Sequence, residues 1–365
     1  MNDKLYQLAL EFLPGIGDVG AKTLISYCGS AEAVFTSKPS HLSKIPGIGQ
    51  KTLELLKNKS AQEKAEKVLA TCEKHQIKII HYTDSTYPTK LKQAIDAPNV
   101  LYAKGAITDY PRTIAIVGTR NATLYGTETT EKIVETSRSL NAAIVSGLAY
   151  GIDISAHKAA LKNDIPTIAV LAGGLDKIYP ALHKKYAEEM LDTGGWLSEN
   201  PPGTKPDAHF FPARNRVIAG MSDVTIVVEA AKKGGALITA NIADSYDRPV
   251  FAVPGDLNHQ YSEGCNYLIR NQKALIFTSV EDLKYHLNWD EASEAEKLKK
   301  EKDYSMLETE DKKIVDLLQT HVDGLPIDEL SWRTQISLNQ LAGKLLNLEF
   351  QGMVKPLPGK KYKLI

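Results

Sequence analysis

"HFFPARNRVIAGMSDVTIVVEA", residues 209–230, places Arg214, Asn215 and Arg216 ahead of an apolar run that reads as a buried strand. Similar β-branched runs stand on either side: "TIAIVG" (113–118), "AAIVSG" (142–147), "PTIAVLAGG" (166–174), "GWLSE" (195–199), "PVFAVPG" (249–255) and "ALIF" (274–277). Helical patterns separate them. Near-continuous apolar strands alternating with helices predict an α/β domain built on a mostly parallel, doubly wound sheet covered on both faces.

Ligands of such sheets lie beyond the carboxyl ends of the strands. There the sequence collects glycines and polar residues: Gly118-Thr119-Arg120, Ser146-Gly147, Gly173-Gly174, Glu199-Asn200, Glu229 ahead of Lys232-Lys233-Gly234-Gly235, and Gly255-Asp256. Glycine lets a ligand approach the backbone and lets the next helix begin with open N–H donors. Arg120, Arg214, Arg216, Lys232 and Lys233 fall at the same edge, with Lys184 and Lys185 on a helix nearby. The arginine fork suits phosphate, and several such groups around one groove point to a polyanion. For any single arginine the alternative is a pairing with Asp or Glu across the sheet edge.

The chain has 365 residues, which predicts two or three domains. Lys+Arg and Asp+Glu are both 44, so no net field draws the protein to nucleic acid or membrane, and an anion site must be a local patch. Three dispersed cysteines, Cys28, Cys72 and Cys265, predict reduced thiols in a cytoplasmic protein. "MNDKLYQLALEFLPG" reads as neither a signal peptide nor a membrane span.

Four regions follow: a helical domain over 1–85, the α/β domain over 86–287, a charged linker over 288–309, and a small domain over 310–365. In the first, "LPGIGDVGAKTLISY" (13–27) and "IPGIGQKTLELLK" (45–57) repeat one another. The repeat resembles the helix-hairpin-helix motif, which grips DNA phosphates through backbone N–H groups at a helix start. Gly47, Gly49 and Lys51 are the contacts expected of the second copy. The first has Val19 where Lys51 would fall, so Lys22 would substitute for it. The other reading is that both hairpins only pack helices. In the last region three helical patterns and a hairpin predict a winged helix. Its third helix carries one base, Lys344, whereas the wing holds Lys355, Lys360, Lys361 and Lys363. Duplex DNA and a protein partner are both open for it.

Catalytic signatures are sparse. No G-x-G-x-x-G follows the first parallel strand. Residues 15–23 approach a Walker A loop, but Ala21 separates Gly20 from Lys22 and no strand precedes. No G-x-S-x-G, H-E-x-x-H or zinc spacing occurs, so neither metal nor cofactor is expected. His157, His183 and His209 read as structural. Asp153, Asp176, Glu199 and Glu229 read as carboxylates that hold glycine-rich turns rather than as acids and bases.

Together "IVGTR" (116–120), "VSGLAYGIDISAHKAAL" (145–161), "AVLAGGLDKIYPALH" (169–183), "LSENPPG" (197–203), "HFFPARNRVIAG" (209–220), "GGALITANIA" (234–243) and "PVFAVPGDLNHQYSEGCNYLIRNQKALI" (249–276) strongly resemble the DNA-processing protein A family, also called Smf. The resemblance implies an extended Rossmann-type domain that binds single-stranded DNA, forms a homodimer and helps load the RecA recombinase in natural transformation, with no enzymatic activity. It implies a basic DNA pocket at Arg120 and at Arg214, Asn215 and Arg216, with the turns at Ser146-Gly147 and Gly173-Gly174 beside it and Lys184 as a further contact. The rival is a nucleotide phosphoribohydrolase of the lysine-decarboxylase-like group, which shares the general fold and carries P-G-G-x-G-T-x-x-E. In "EAAKKGGALITANIA" (229–243) the hydrolytic carboxylate is missing from its place.

Overall fold

The structure, a computed structural model, describes residues 2–45, 47–57, 59–289, 307, 309–321, 324–357 and 360–364. It divides into two compact units, Met1–Leu283 and Lys284–Ile365. Most of the charged segment expected as a linker, 288–309, lies outside the described residues.

The first unit is built on nine strands: β1 (Lys78–His81), β2 (Val100–Gly105), β3 (Thr113–Val117), β4 (Ala143–Ser146), β5 (Thr167–Val170), β6 (Gly195–Ser198), β7 (Val224–Val227), β8 (Val250–Ala252) and β9 (Leu275–Ile276). Their order is β1-β2-β6-β5-β4-β3-β7-β8-β9. Strands β3 to β9 run parallel, whereas β2 pairs antiparallel with both β1 and β6. Each of the seven apolar runs holds one parallel strand. β1 and β2 come from segments not read as strands, and β1 begins ahead of the boundary expected at residue 86.

Strands β3 to β7 are buried along their whole length, because both faces are covered. Alternation sorts their side chains into two cores. In β5, Ile168 and Val170 enter one core, while Ala169 and the following Leu171 enter the other. The second core is shared with the N-terminal helices, whose Leu8, Leu10 and Leu24 pack with Val100, Tyr102 and Trp196 of the sheet.

The hairpin repeat shows in the backbone. Gly15 and Gly47 have the same left-handed φ of 82°, a conformation that favours glycine. The two loops line one small pocket through Gly15, Ile16, Gly47 and Ile48.

The second unit has helices at Thr309–Gln319, Ile327–Thr334 and Leu338–Phe350, with β10 (Leu325–Pro326), β11 (Val354–Leu357) and β12 (Lys361–Leu364). Ile314, Leu330, Leu341, Leu345 and Val354 form its own core. Beyond the expected hairpin of β11 and β12, β10 pairs with β12 and makes the wing sheet three-stranded.

Candidate nucleic-acid interface

The chain leaves β3 for β4, β5 and β6 on one side and returns to β7 on the other, so the carboxyl ends of β3 and β7 flank the switch point of the sheet. A crevice of about 410 Å³ opens there. Its walls are Val117 at the end of β3 and residues 118–120 after it, Ala149 and Asp153 after β4, residues 231, 234–236, 238 and 239 after β7, and Phe211, Arg214 and Asn215 from the helix Phe210–Met221. A narrower cleft continues past Arg120 and Phe211 to Tyr150, Gly173, Lys177 and Tyr179.

Arg214 forms the floor. It is only 4% exposed, and its Nη1 donates to the Val170 carbonyl at 2.6 Å. The guanidinium lies against Gly147, where an added Cβ would stand 1.8 Å from Nη1. Burial lowers the pKa of Arg214, and nearby Asp153 opposes that. Asp153 in turn accepts from the Gly147 and Ala149 amides, which fixes the turn over the arginine. Arg120 is exposed at the rim, with its guanidinium carbon 4.8 Å from the centre of the Phe211 ring. A buried, fixed cation beneath an exposed one is an arrangement that receives phosphate.

Arg216 does not join them. The segment that holds both arginines is helical, with Pro212 in the first turn, where proline is tolerated. Residues two apart on a helix face nearly opposite ways. Arg214 therefore enters the crevice, and Arg216 points to the far side. There it pairs with Asp18 at 3.0 Å and with Glu199, and donates to the Asp96 carbonyl. This is the carboxylate pairing held open above for a single arginine.

The turns contribute shape more than donors. The Thr119, Gly147 and Gly174 amides already donate to the Glu229 carbonyl, Asp153 and the Thr204 carbonyl. The Ser146 hydroxyl donates to the Ile116 carbonyl at 2.6 Å. Cβ atoms at Gly118 and Gly174 would meet Ile152 and Pro201. Asp153, Asp176 and Glu229 do hold turns, Asp176 by accepting from the Gly203 amide and Glu229 from Thr123. Glu199 is the exception, being spent on Arg216.

Lys232 and Lys233 are exposed in the loop that leads into the helix Gly235–Ser245, whose first residues wall the crevice. Lys184 is not among the crevice residues and pairs with Glu188 at 3.7 Å on the surface. Lys177, which sequence reading passed over, lines the cleft instead. So does Tyr150, and it joins Tyr179 and Phe211 around Arg120. Each sits in a separate motif, at 150, 179 and 211, and only the fold brings the three rings together. His157 bonds Thr167 at 2.7 Å, and burial lowers its pKa to about 3, so it stays neutral. His183 bonds the Leu148 carbonyl. Both are structural. Among the described residues no cluster of His, Cys, Asp and Glu could hold a metal, and no helix is long and apolar enough to cross a membrane.

Residues 78–288 match the family model described as DNA recombination-mediator protein A. The chain belongs to the DNA-processing protein A family. Family models also match at 299–360, a DprA winged helix domain, and at 8–62, a SAM-like helix-hairpin-helix tandem. The chain is 32% identical to Protein Smf of a Synechocystis species, over 99% of both chains. It is 43% identical to the DNA processing protein DprA of Bacillus subtilis, over 62% of this chain and 78% of that one. In structure it is similar to DNA processing protein A of Streptococcus pneumoniae, with TM-score 0.65 and 32% identity, covering 78% of this chain and 96% of that one. It is also similar to DNA processing protein A of Helicobacter pylori, a structure described for its single-stranded DNA binding mode, with TM-score 0.53 and 32% identity over 59% and 97%.

The accessory modules of this family member differ in their charges. Lys51 is exposed at the start of the helix Gln50–Lys57, whereas Lys22 turns inward to donate to the Ala97 carbonyl at 2.6 Å. The first hairpin therefore lacks the expected lysine substitute. In the winged helix, Lys344 is held by Glu310 and Asp311 at 3.2 and 3.1 Å, while Lys360 and Lys361 of the wing are exposed.

Proposed function

We propose that the protein binds single-stranded DNA along the carboxyl edge of its central sheet and acts as a recombination mediator, protecting the strand and helping to load the RecA recombinase. The observation that carries this reading is the switch-point crevice, with Arg214 on its floor and Arg120 at its rim, and with Lys232 and Lys233 exposed in the loop between its lining residues Ala231 and Gly234. Three aromatic rings beside Arg120 suit unstacked bases, which a single strand offers and a duplex does not. The Helicobacter pylori relative, described for its single-stranded DNA binding mode, supports the ligand. Family membership supports the recombinase partner and a cytoplasmic site of action. Binding rather than hydrolysis is supported by Asp153 and Glu229, whose carboxylates are occupied with turn hydrogen bonds. A homodimer is supported by the open end of the sheet, where β9 exposes Leu275 and Ile276. The terminal modules would add duplex contacts through Lys51, Lys360 and Lys361.

The test is a titration of labelled oligothymidine, single-stranded and duplexed with its complement, across a salt series. Single strands should bind tighter, with log K falling linearly against log salt by roughly 0.7 per phosphate contacted. Lys232→Ala/Lys233→Ala should flatten that slope by about 1.4, the share of two contacts. Equal affinity for duplex, or a slope unchanged in the double variant, would count against this site.

A further inference from the structure

A second pocket, of about 320 Å³, lies on the opposite side of the helix Phe210–Met221, between the first hairpin and the end of β6. We propose that it takes a guanine base from the single strand bound in the crevice, an inference that rests on the DNA-binding reading above.

The pocket has flat apolar walls, supplied by Phe12, Ile16 and Phe210, which suit the faces of a nucleobase. Its polar groups are unevenly matched. Asn99 is buried, at 3% exposed, and its Nδ2 donor has no acceptor. Oε1 of Glu199 is buried without a donor. The other carboxylates around them already have donors: Asp18 accepts from the Asn99 amide and from Arg216, and Glu11 accepts from the Tyr102 hydroxyl, which leaves Oε1 of Glu199 as the open acceptor. Unsatisfied buried groups of this kind are costly unless something completes them.

Guanine presents a matching edge. Its N1–H and N2–H donors stand side by side and suit a carboxylate, and its O6 accepts from an amide nitrogen. Adenine and cytosine offer a single exocyclic donor group, and thymine a single ring N–H, so none gives the carboxylate two adjacent donors. The nearby cations Arg216 and Lys22 are already engaged, Arg216 by Asp18 and Glu199 and Lys22 by the Ala97 carbonyl, so neither is free to hold a phosphate, and the backbone stays in the crevice while the base enters. The path is short: Phe210 lines this pocket and its neighbour Phe211 lines the crevice.

The experiment uses the full chain with two labelled single strands of equal length, oligothymidine and an alternating thymine–guanine sequence. The guanine strand should bind about tenfold tighter, the discrimination of one good bidentate base contact. Asn99→Ala should bring the two strands to parity while oligothymidine affinity stays as in the wild type, which also reports that the variant is folded. Phe12→Ala, which removes a wall and leaves Asn99 in place, should narrow the preference in the same way. Equal binding of both strands by the wild type, or a guanine preference that survives both variants, would overturn the pocket and leave the crevice standing. Binding of neither strand would overturn the DNA reading itself.

Discussion

Arg216→Ala should destabilise the protein by about 3–5 kcal/mol, the usual loss when one partner of a buried ion pair is removed. The Arg216 side chain is 16% exposed and bridges Asp18, on the first hairpin, to Glu199, after β6. Without it the two carboxylates face each other half-buried, with little solvent to screen them. Burial already raises the pKa of Glu199, and Arg216 is the leading influence that lowers it. Its removal must push the folded-state pKa higher still. A carboxyl raised in the folded state binds more protons there than in the unfolded chain, so stability falls as pH climbs from the unfolded value through the folded one. The deficit of the variant should therefore be largest at neutral pH and shrink on mild acidification. Urea denaturation at the two pH values measures this. A loss below about 1 kcal/mol, the scale of a surface pair, would show that the bridge is not structural. Oligothymidine affinity per folded molecule should be close to that of the wild type, because Arg216 lies outside the crevice.

Gly147→Ala should damage both stability and binding. The added methyl would sit 1.8 Å from Nη1 and 2.3 Å from Cζ of Arg214. An arginine tip usually swings away from such a clash, but this one is buried and tied to the Val170 carbonyl. Moving it breaks that bond and leaves the Asp153 carboxylate without its nearby cation. Overpacking of this sort costs about 1–3 kcal/mol. The floor of the crevice is lost at the same time, so DNA affinity should fall even at temperatures where the variant is fully folded. A melt within experimental scatter of the wild type, with unchanged DNA affinity, would contradict the placement of Arg214.

The parallel strands were legible because strands covered on both faces must be apolar at nearly every position, and "TIAIVG" or "DVTIVVEA" satisfies that without help from context. β1 and β2 were not, because the short "KIIH" and "VLYAKG" stand among turn residues and are strands only through pairing with each other and, for β2, with β6. Arg120, Arg214 and Asn215, placed at the carboxyl edge by motif and position, do line the crevice. Arg216 was assigned to the crevice because it shares the sheet edge and the family motif with Arg214, whereas the helix sends the two apart. Its partners Asp18 and Glu199 lie far from each other in sequence, and no local pattern joins them. Lys177, Tyr150 and the commitment of the turn amides likewise depend on loops that meet only in the folded chain.

The central claim is that DNA lies over the carboxyl edge of the sheet, and Arg120 tests it most directly because it is exposed and its removal leaves the core intact. The measurement is single-stranded oligothymidine affinity at fixed salt for wild type, Arg120→Ala and the surface control Lys184→Ala. Loss of a charged contact predicts a drop of about 1.5–3 kcal/mol for Arg120→Ala, roughly 10- to 150-fold in Kd, with Lys184→Ala close to wild type. Wild-type affinity in Arg120→Ala, or a larger loss in Lys184→Ala, would move the DNA away from this edge.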